Sequence, residues 1–386
     1  MESVHEGSLR FAPTRQRVRQ GNAVHILCDG AETFPAMLEA IRSATKTIYA
    51  EFYIWRGDVI GWQVADALIA QHRNGIRVQA MYDSFGCVDV DPLIFDTMRD
   101  EGIECLEYRP LAPWRPHGGF LRRNHRKLLV IDDTIGFVGG INLSKDFLSK
   151  EQGGQGWRDY CVRIEGSAVR DLSRLFSHTW VRTHSNARRA KVAPPETAEP
   201  AETGSTFVAI LGNSEMAQRF RIRRSYIHAI NQAQHQISIA NAYFLPDRNI
   251  RRALYRAKRR GVTIHIMVPG LSDVTIVAWA TRHLYGRFLR RGIRIFEYTR
   301  SMLHAKMAAI DGKWSTIGSY NLDHQSLRYN LEVNASIFDL EVGQKMMDAL
   351  QKDIEACREV TIQDVRKRSW IERLRYWLSF QFRKML

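Results

Sequence analysis

The sequence predicts an α/β protein made of two copies of one unit, each a mixed or parallel β-sheet covered by helices. Three observations carry this expectation. Strand-like and helix-like segments alternate along the chain, which places helices on both faces of a sheet. The same series of segments occurs twice in the same order. A His-x-Lys pattern with an Asp seven residues after the His closes each series, at His125–Asp132 and at His304–Asp311.

The first copy opens with ILCDGAETFPAMLEAIRSATKTIYAEFYIW and the second with FVAILGNSEMAQRFRIRRSYIHAINQAQHQISIANAYF. Both read as a short strand, a helix and an apolar aromatic strand. VADALIAQHRNGIRVQAMYD and IRRALYRAKRRGVTIHIMVP follow, each an amphipathic helix, a Gly stop and a β-branched strand. EGIECLEYRP is then echoed by RGIRIFEYTR. Gly75 and Gly261 are 186 positions apart and Gly102 and Gly292 are 190 apart, a near-constant offset that marks a duplication. Between the copies, residues 184–205 carry three prolines and no aromatic residue and read as a flexible linker. The expected division is a basic N-terminal segment (1–21), a first half (22–183), the linker, a second half (206–350) and a basic amphipathic tail (351–386).

Composition narrows the function classes. The 386 residues hold 56 Lys and Arg against 41 Asp and Glu, a net charge of +15 that attracts an anionic partner. No apolar run of 18 residues suggests a membrane span, and the N-terminus has no signal-like apolar stretch. The five cysteines, Cys28, Cys87, Cys105, Cys161 and Cys357, are widely spaced and read as free thiols.

The chemistry lies in the repeated motif. His125-Arg-Lys127 leads to Asp132, Gly139-Gly140 and Asn142; His304-Ala-Lys306 leads to Asp311, Gly318-Ser319 and Asn321. The spacing from His to Asn is seventeen in both. His and Lys two apart on a strand point to one face. Asp311-Gly312 is a strong hairpin signal and Asp132-Asp133 a weaker one, so each motif reads as a hairpin whose return strand brings Asn142 or Asn321 back beside the His and Lys. Five residues of strand span about 16 Å, which leaves the motif Asp at the far turn with a structural role.

Two imidazoles, two ammonium groups and two amides suit phosphodiester chemistry without a metal or cofactor. One imidazole attacks phosphorus, the other moves the proton, and Lys127, Lys306, Asn142 and Asn321 hold the oxygens. A nucleophilic imidazole needs an orienting partner. Asp159, in WRDYCVRIEG, and Glu332, in YNLEVNASIFD, are the candidates, and the sequence leaves open whether each serves its own half or the other. Glu51 and Asn241 hold equivalent places in the repeat; Glu51 is expected either to face the phosphate site or to make a structural hydrogen bond. His283 and His324 read as ordinary histidines.

These paired motifs, with EFYIW (51–55), GGINLS (139–144) and GSYNLDHQSLRYNLEVN (318–334), resemble the phospholipase D superfamily, and within it the bacterial cardiolipin synthases, in particular their short B form. The resemblance covers residues 22 to 345 or so. It implies a duplicated phospholipase D-like fold with one pseudo-twofold active site at the junction of the halves. It implies transfer of a phosphatidyl group between phosphatidylglycerol molecules with release of glycerol, and a bacterial enzyme peripheral on the cytoplasmic face of the cell membrane. It also groups Asp132 and Asp311 with the catalytic residues and makes the N-terminal His, His125, the nucleophile. Hydrolysis of a phosphodiester, by a phospholipase or a nuclease, is the alternative outcome of the same chemistry. Gln325 stands where many relatives carry Arg, which leaves the acceptor preference open.

The tail supplies a means of reaching lipid. RKRSWIERLRYWLSFQFRKML, from Arg366 to Leu386, holds seven Lys and Arg and one Glu. Ile371, Leu374, Leu378, Phe382 and Met385 fall on one helical face, flanked by Trp370 and Trp377, the pattern of an interfacial helix. This favours a membrane surface over nucleic acid as the anionic partner, and no oligomer is required for the site. The irregular stretch with Trp114 and Phe120 reads as a loop, a candidate cover for the site.

Overall fold

The computed structural model describes residues 7–14, 17–111, 122–183, 202–213 and 218–384. Trp114, Phe120, Met385 and most of the expected linker lie outside the described residues. The first half contains strands β1 (Arg19–Cys28), β2 (Thr47–Phe52), β3 (Arg77–Asp83), β4 (Glu104–Tyr108), β5 (Lys127–Ile131), β6 (Ile135–Gly139) and β7 (Tyr160–Glu165). Its helices are α1 (Asp29–Arg42), α2 (Val59–Arg73), α3 (Leu93–Asp100) and α4 (Val169–Thr183). The second half repeats the plan with β8 (Thr206–Asn213), β9 (Gln236–Asn241), β10 (Thr263–Pro269), β11 (Arg294–Tyr298), β12 (Lys306–Ile310), β13 (Trp314–Gly318) and β14 (Glu332–Phe338). Its helices are α5 (Arg221–Gln232), α6 (Arg248–Arg259), α7 (Thr275–Leu289), α8 (His324–Arg328) and α9 (Leu340–Glu355). β15 (Cys357–Val360), α10 (Ile362–Arg366) and α11 (Trp370–Gln381) complete the chain.

In each half a parallel trio (β2, β3, β4 or β9, β10, β11) continues into antiparallel strands. The strands of the trios are buried along nearly their whole length, apart from β4, which is only half-buried. The halves were expected to hold separate sheets. Instead β1 and β8 pair antiparallel, Asn22 opposite Thr206, and join them into one sheet of 15 strands among the described residues. The boundary expected at 350/351 also shifts, because α9 runs on to Glu355 and β15 adds to the sheet beside β11.

One core cluster holds the halves together. Leu128, Val130, Val138 and Val162 from the first half pack with Met307, Ile317, Val333 and Ala335 from the second. These are the inner faces of β5–β7 and β12–β14, so the two hairpins that carry the motifs lie back to back across an apolar layer. The strand ends carrying the motif histidines therefore converge.

At the opposite ends the hairpin turns are anchored by the motif aspartates. Asp132, at φ +52°, accepts bonds from the amides of Thr45 (2.7 Å), Lys46 (2.8 Å) and Thr47 (2.7 Å) and from the Thr45 hydroxyl (2.8 Å). Asp311, at φ +54°, accepts from the amides of Gln234, His235 and Gln236 at 2.8–2.9 Å. Each aspartate thus ties its turn to the segment entering the neighbouring strand, β2 or β9. Partial burial works against ionisation of Asp132, but the amide bonds outweigh it and hold the carboxyl below its usual range. A group depressed in this way stabilises the fold above its unfolded pKa of about 4, and the contribution fades as pH falls below that. Asp132→Ala is therefore expected to lower stability by about 3 kcal/mol at pH 7, from several amide bonds lost at once. Urea denaturation at pH 7 and pH 3 checks this: the difference between variant and wild type should shrink at the lower pH.

Candidate active site

Each motif histidine is held by the opposite half, beginning with the backbone. His125 donates its amide to the Leu331 carbonyl (3.0 Å), and Leu331 donates to Arg123 (2.8 Å). In the other half His304 donates to the Arg158 carbonyl (2.8 Å), and Arg158 donates to Met302 (2.8 Å). Leu331 and Arg158 directly precede Glu332 and Asp159, so this backbone clasp delivers each carboxylate to the histidine it faces. Glu332 Oε2 lies 3.1 Å from His125 Nδ1, and Asp159 Oδ2 lies 2.6 Å from His304 Nδ1. The question left open by the sequence is thereby answered: each carboxylate serves the other half. All four side chains are buried.

Each motif lysine is buried beside its own histidine. Lys127 Nζ donates to the His125 carbonyl at 2.6 Å; Lys306 Nζ donates to the His304 carbonyl and stands 2.8 Å from His304 Nδ1. Burial, with the charge of Lys306 added, pushes the Lys127 ammonium well down, and burial pushes Lys306 down to about 8. Two buried ammonium groups held below their usual range, one of them lowered by the other, are suited to an anionic ligand. Burial and the neighbouring lysine also lower both imidazoles, His125 beside Lys127 and His304, further, beside Lys306.

The two carboxylates differ. Glu332 accepts from the hydroxyl of Ser319, from Ser326 Oγ at 2.6 Å and from Asn330 Nδ2 at 3.4 Å. Burial opposes its charge, but His125, Lys127 and Ser319 prevail and hold it below its usual range. Asp159 accepts from the Tyr160 amide at 2.7 Å and is raised to about 7 by burial, which outweighs the charge of Lys306. The sequence difference behind this is small. Gly140 stands where the second half has Ser319, and a Cβ there would lie 2.3 Å from Asp159 Oδ2, so no hydroxyl fits beside that carboxylate.

Asn142 and Asn321 follow the return strands and are buried. Asn142 Oδ1 accepts the Ile54 amide at 3.2 Å, while Asn321 Oδ1 has no hydrogen-bond partner among the described residues. Asp132 and Asp311 are not brought to the imidazoles. The aspartates that the family signature groups with the catalytic residues are turn anchors here, bonded mainly to backbone amides at the far end of the hairpins. Glu51 is buried against Asn124 Nδ2 (2.6 Å) and Arg126 (3.6 Å), a structural pairing, and Asn241 accepts the Leu322 amide at 3.0 Å. His283 stacks on Phe380 of the tail helix.

Several site residues escaped the sequence reading. Tyr53 meets the His125 ring edge-on at 4.8 Å, with Lys127 Nζ 4.9 Å from its centroid. Phe147 and Trp157 flank His304 at 5.6 and 5.7 Å. Ser319 and Ser326 hold Glu332. The only signal for these in the sequence is proximity: Tyr53 follows Glu51 by two, Trp157 precedes Asp159 by two, and Ser319 and Ser326 flank Asn321.

Comparisons with known proteins identify the family. The family described as "Cardiolipin synthase, PLD-like domain" matches residues 37–180 and 226–354, which include both motifs and both carboxylates. The chain is 35% identical to cardiolipin synthase B of Shigella flexneri over 370 residues, 94% of this chain and 88% of that protein. It is 34% identical to cardiolipin synthase B of Escherichia coli (strain K12) over the same shares. With the cardiolipin synthase of Halalkalibacterium halodurans it shares 31% over 352 residues, 90% of this chain and 69% of that one. Among solved structures, phosphatidylserine synthase from Haemophilus influenzae Rd KW20 shares the fold at a TM-score of 0.72 and 13% identity, covering 94% of this chain and 95% of that chain. With the family matched across both halves and the relatives aligned over nearly the whole length, the chain belongs to the cardiolipin synthase family of PLD-like enzymes.

Proposed function

We propose that this phosphatidyltransferase makes cardiolipin from two molecules of phosphatidylglycerol through a covalent phosphatidyl-histidine. The observation that carries the reading is the cross-pairing of two buried imidazoles with carboxylates of the opposite halves, each imidazole with a buried lysine, Lys127 or Lys306, bonded to its backbone carbonyl. His125 is the nucleophile. Glu332, kept ionised, accepts its Nδ1–H and leaves the Nε2 lone pair free. His304 is the acid, because Asp159 at about 7 lets that pair keep one further proton near neutral pH.

In the first step His125 Nε2 bonds to phosphorus, the bond to the glycerol oxygen breaks, and His304 gives that oxygen its proton. A second phosphatidylglycerol then enters. His304 takes the proton of its headgroup hydroxyl, the oxygen bonds to phosphorus, the P–N bond breaks and His125 is restored. Lys127, Lys306, Asn142 and Asn321 face the non-bridging oxygens and stabilise the charge that builds on them. Water in place of the second lipid would give hydrolysis, so excluding water decides the product.

The tail supports work at a membrane surface. Helix α11, started by the Ser369–Glu372 capping box, packs on α7 through Tyr376 and Phe380. Its other face leaves Trp370 (72%), Ile371 (58%), Leu374 (45%), Trp377 (48%) and Leu378 (46%) exposed, with Phe382 (52%) beyond it. No helix among the described residues is long and apolar enough to cross a membrane. The turn at Phe382–Lys384 packs beside α8, which starts three residues after Asn321. We infer that the ridge enters the interface of an anionic membrane.

Purified protein with phosphatidylglycerol vesicles is expected to release one glycerol per cardiolipin formed, and His125→Ala or His304→Ala to lower the rate about 1,000-fold or more. Mass spectrometry of the lipids checks this; hydrolysis products alone would refute transfer. Gly140→Ser, which forces a side chain onto Asp159, should cut kcat by about 100-fold while leaving the melting curve cooperative. On the alkaline side, kcat/KM should fall as the His304–Asp159 pair loses its extra proton near 7 and Lys306 its charge near 8. A profile flat across that range would contradict the assignment of the acid.

A further inference from the structure

A second basic site lies away from the histidines. Helices α7, α10 and α11 enclose a cleft of about 450 Å³ lined by Arg290, Arg366, Arg368 and Arg373, with Tyr376 and Trp377 as aromatic walls. Two of the arginines are fixed in place. Arg368 Nη1 donates to the Arg282 carbonyl at 2.8 Å, and its guanidinium lies 5.3 Å from the Tyr285 ring and 5.1 Å from the Tyr376 ring. Arg373 donates to the carbonyls of Arg368 (3.1 Å) and Arg366 (2.7 Å).

Among the described residues no carboxylate lines the cleft. The acidic groups of this region are engaged elsewhere: Glu297 pairs with Arg282 and Arg358, while Asp364 and Glu372 close the capping boxes of α10 and α11. Four guanidinium groups are thus gathered at one cleft: Arg290, Arg366 and Arg373 are exposed and open to a ligand, while the half-buried Arg368 also feels Glu297. Their planar forks suit the oxygens of a phosphate. Trp377 is both a wall of this cleft and part of the exposed apolar ridge. A ligand that spans the two must be anionic at one end and apolar at the other.

We propose that this cleft binds the phosphodiester headgroup of an anionic phospholipid whose acyl chains lie along the ridge, a lipid-docking site separate from the catalytic pair. The proposal rests on α11 facing a membrane. It makes docking selective for a phosphate, beyond the charge attraction that any basic surface exerts.

The test uses the full chain and two vesicle types of matched surface charge, phosphatidylcholine doped with phosphatidylglycerol or with oleate, and reads the ratio of affinities by co-sedimentation. Arg290→Gln with Arg366→Gln should lower that ratio about tenfold relative to wild type, whereas Arg252→Gln with Arg259→Gln, which removes equal charge from α6, should weaken both affinities and leave the ratio as it was. An unchanged ratio in the cleft variant overturns the proposal, and if that variant instead loses single-stranded DNA binding, the cleft belongs to nucleic acid. Ile371→Ser with Leu374→Ser separates the two readings. It should weaken binding to both vesicle types; if it binds as wild type does, the membrane-facing ridge itself is wrong.

Discussion

The bond from His125 to Glu332 and its counterpart from His304 to Asp159 both cross from one half of the chain to the other. Neither half contains a complete oriented imidazole. The carboxylates are buried and costly to hold there without partners. The interface therefore places them on their histidines through the backbone clasps at Leu331 and Arg158. Arg126 reinforces the junction: fully buried, it binds Glu51 in its own half and the carbonyls of Glu332 and Asn213 in the other. The shared apolar layer between the hairpins has the same effect on a larger scale. Duplication thus yields one site that exists only when both copies are folded and docked.

The site is nearly twofold in its backbone and deliberately uneven in its chemistry. Ser319 and Ser326 surround Glu332 with hydroxyl donors, while Gly140 leaves Asp159 with a backbone amide and its histidine. One carboxylate is held as an anion and the other near neutrality. Pairs of titratable groups whose surroundings push them apart divide the acid and base roles between them. The Gly-to-Ser difference in the repeated motif adds to that division, beside the larger effects of His125 and Lys127 on Glu332 and of burial on Asp159.

Much of this was legible in the sequence. The duplication, the hairpins and the placing of each His beside its Lys follow from spacing and from the two-residue period of strands. Strand geometry also put Asp132 and Asp311 at the far turn, where their carboxylates bind backbone amides. The pairing of halves was not legible, because a carboxylate some thirty residues downstream reaches its own or the opposite histidine depending on how two sheets dock. The continuity of the sheet through β1 and β8 was hidden for the same reason, since edge pairing leaves no local pattern. Tyr53, Phe147 and Trp157 were missed because an aromatic residue beside a strand reads as core wherever it points. The apolar face of the tail helix was visible as a stripe, but that Tyr376 and Phe380 pack while the stripe stays exposed required the fold.

The central claim is that the reacting histidine is oriented from the other half. Mapping the covalent intermediate by peptide mass spectrometry, after rapid alkaline quench of the enzyme with phosphatidylglycerol, tests it most directly. The expected result is a phosphatidyl adduct on His125 whose rate of formation falls about 100-fold in Glu332→Gln. An adduct on His304, or formation at the wild-type rate in Glu332→Gln, would contradict it.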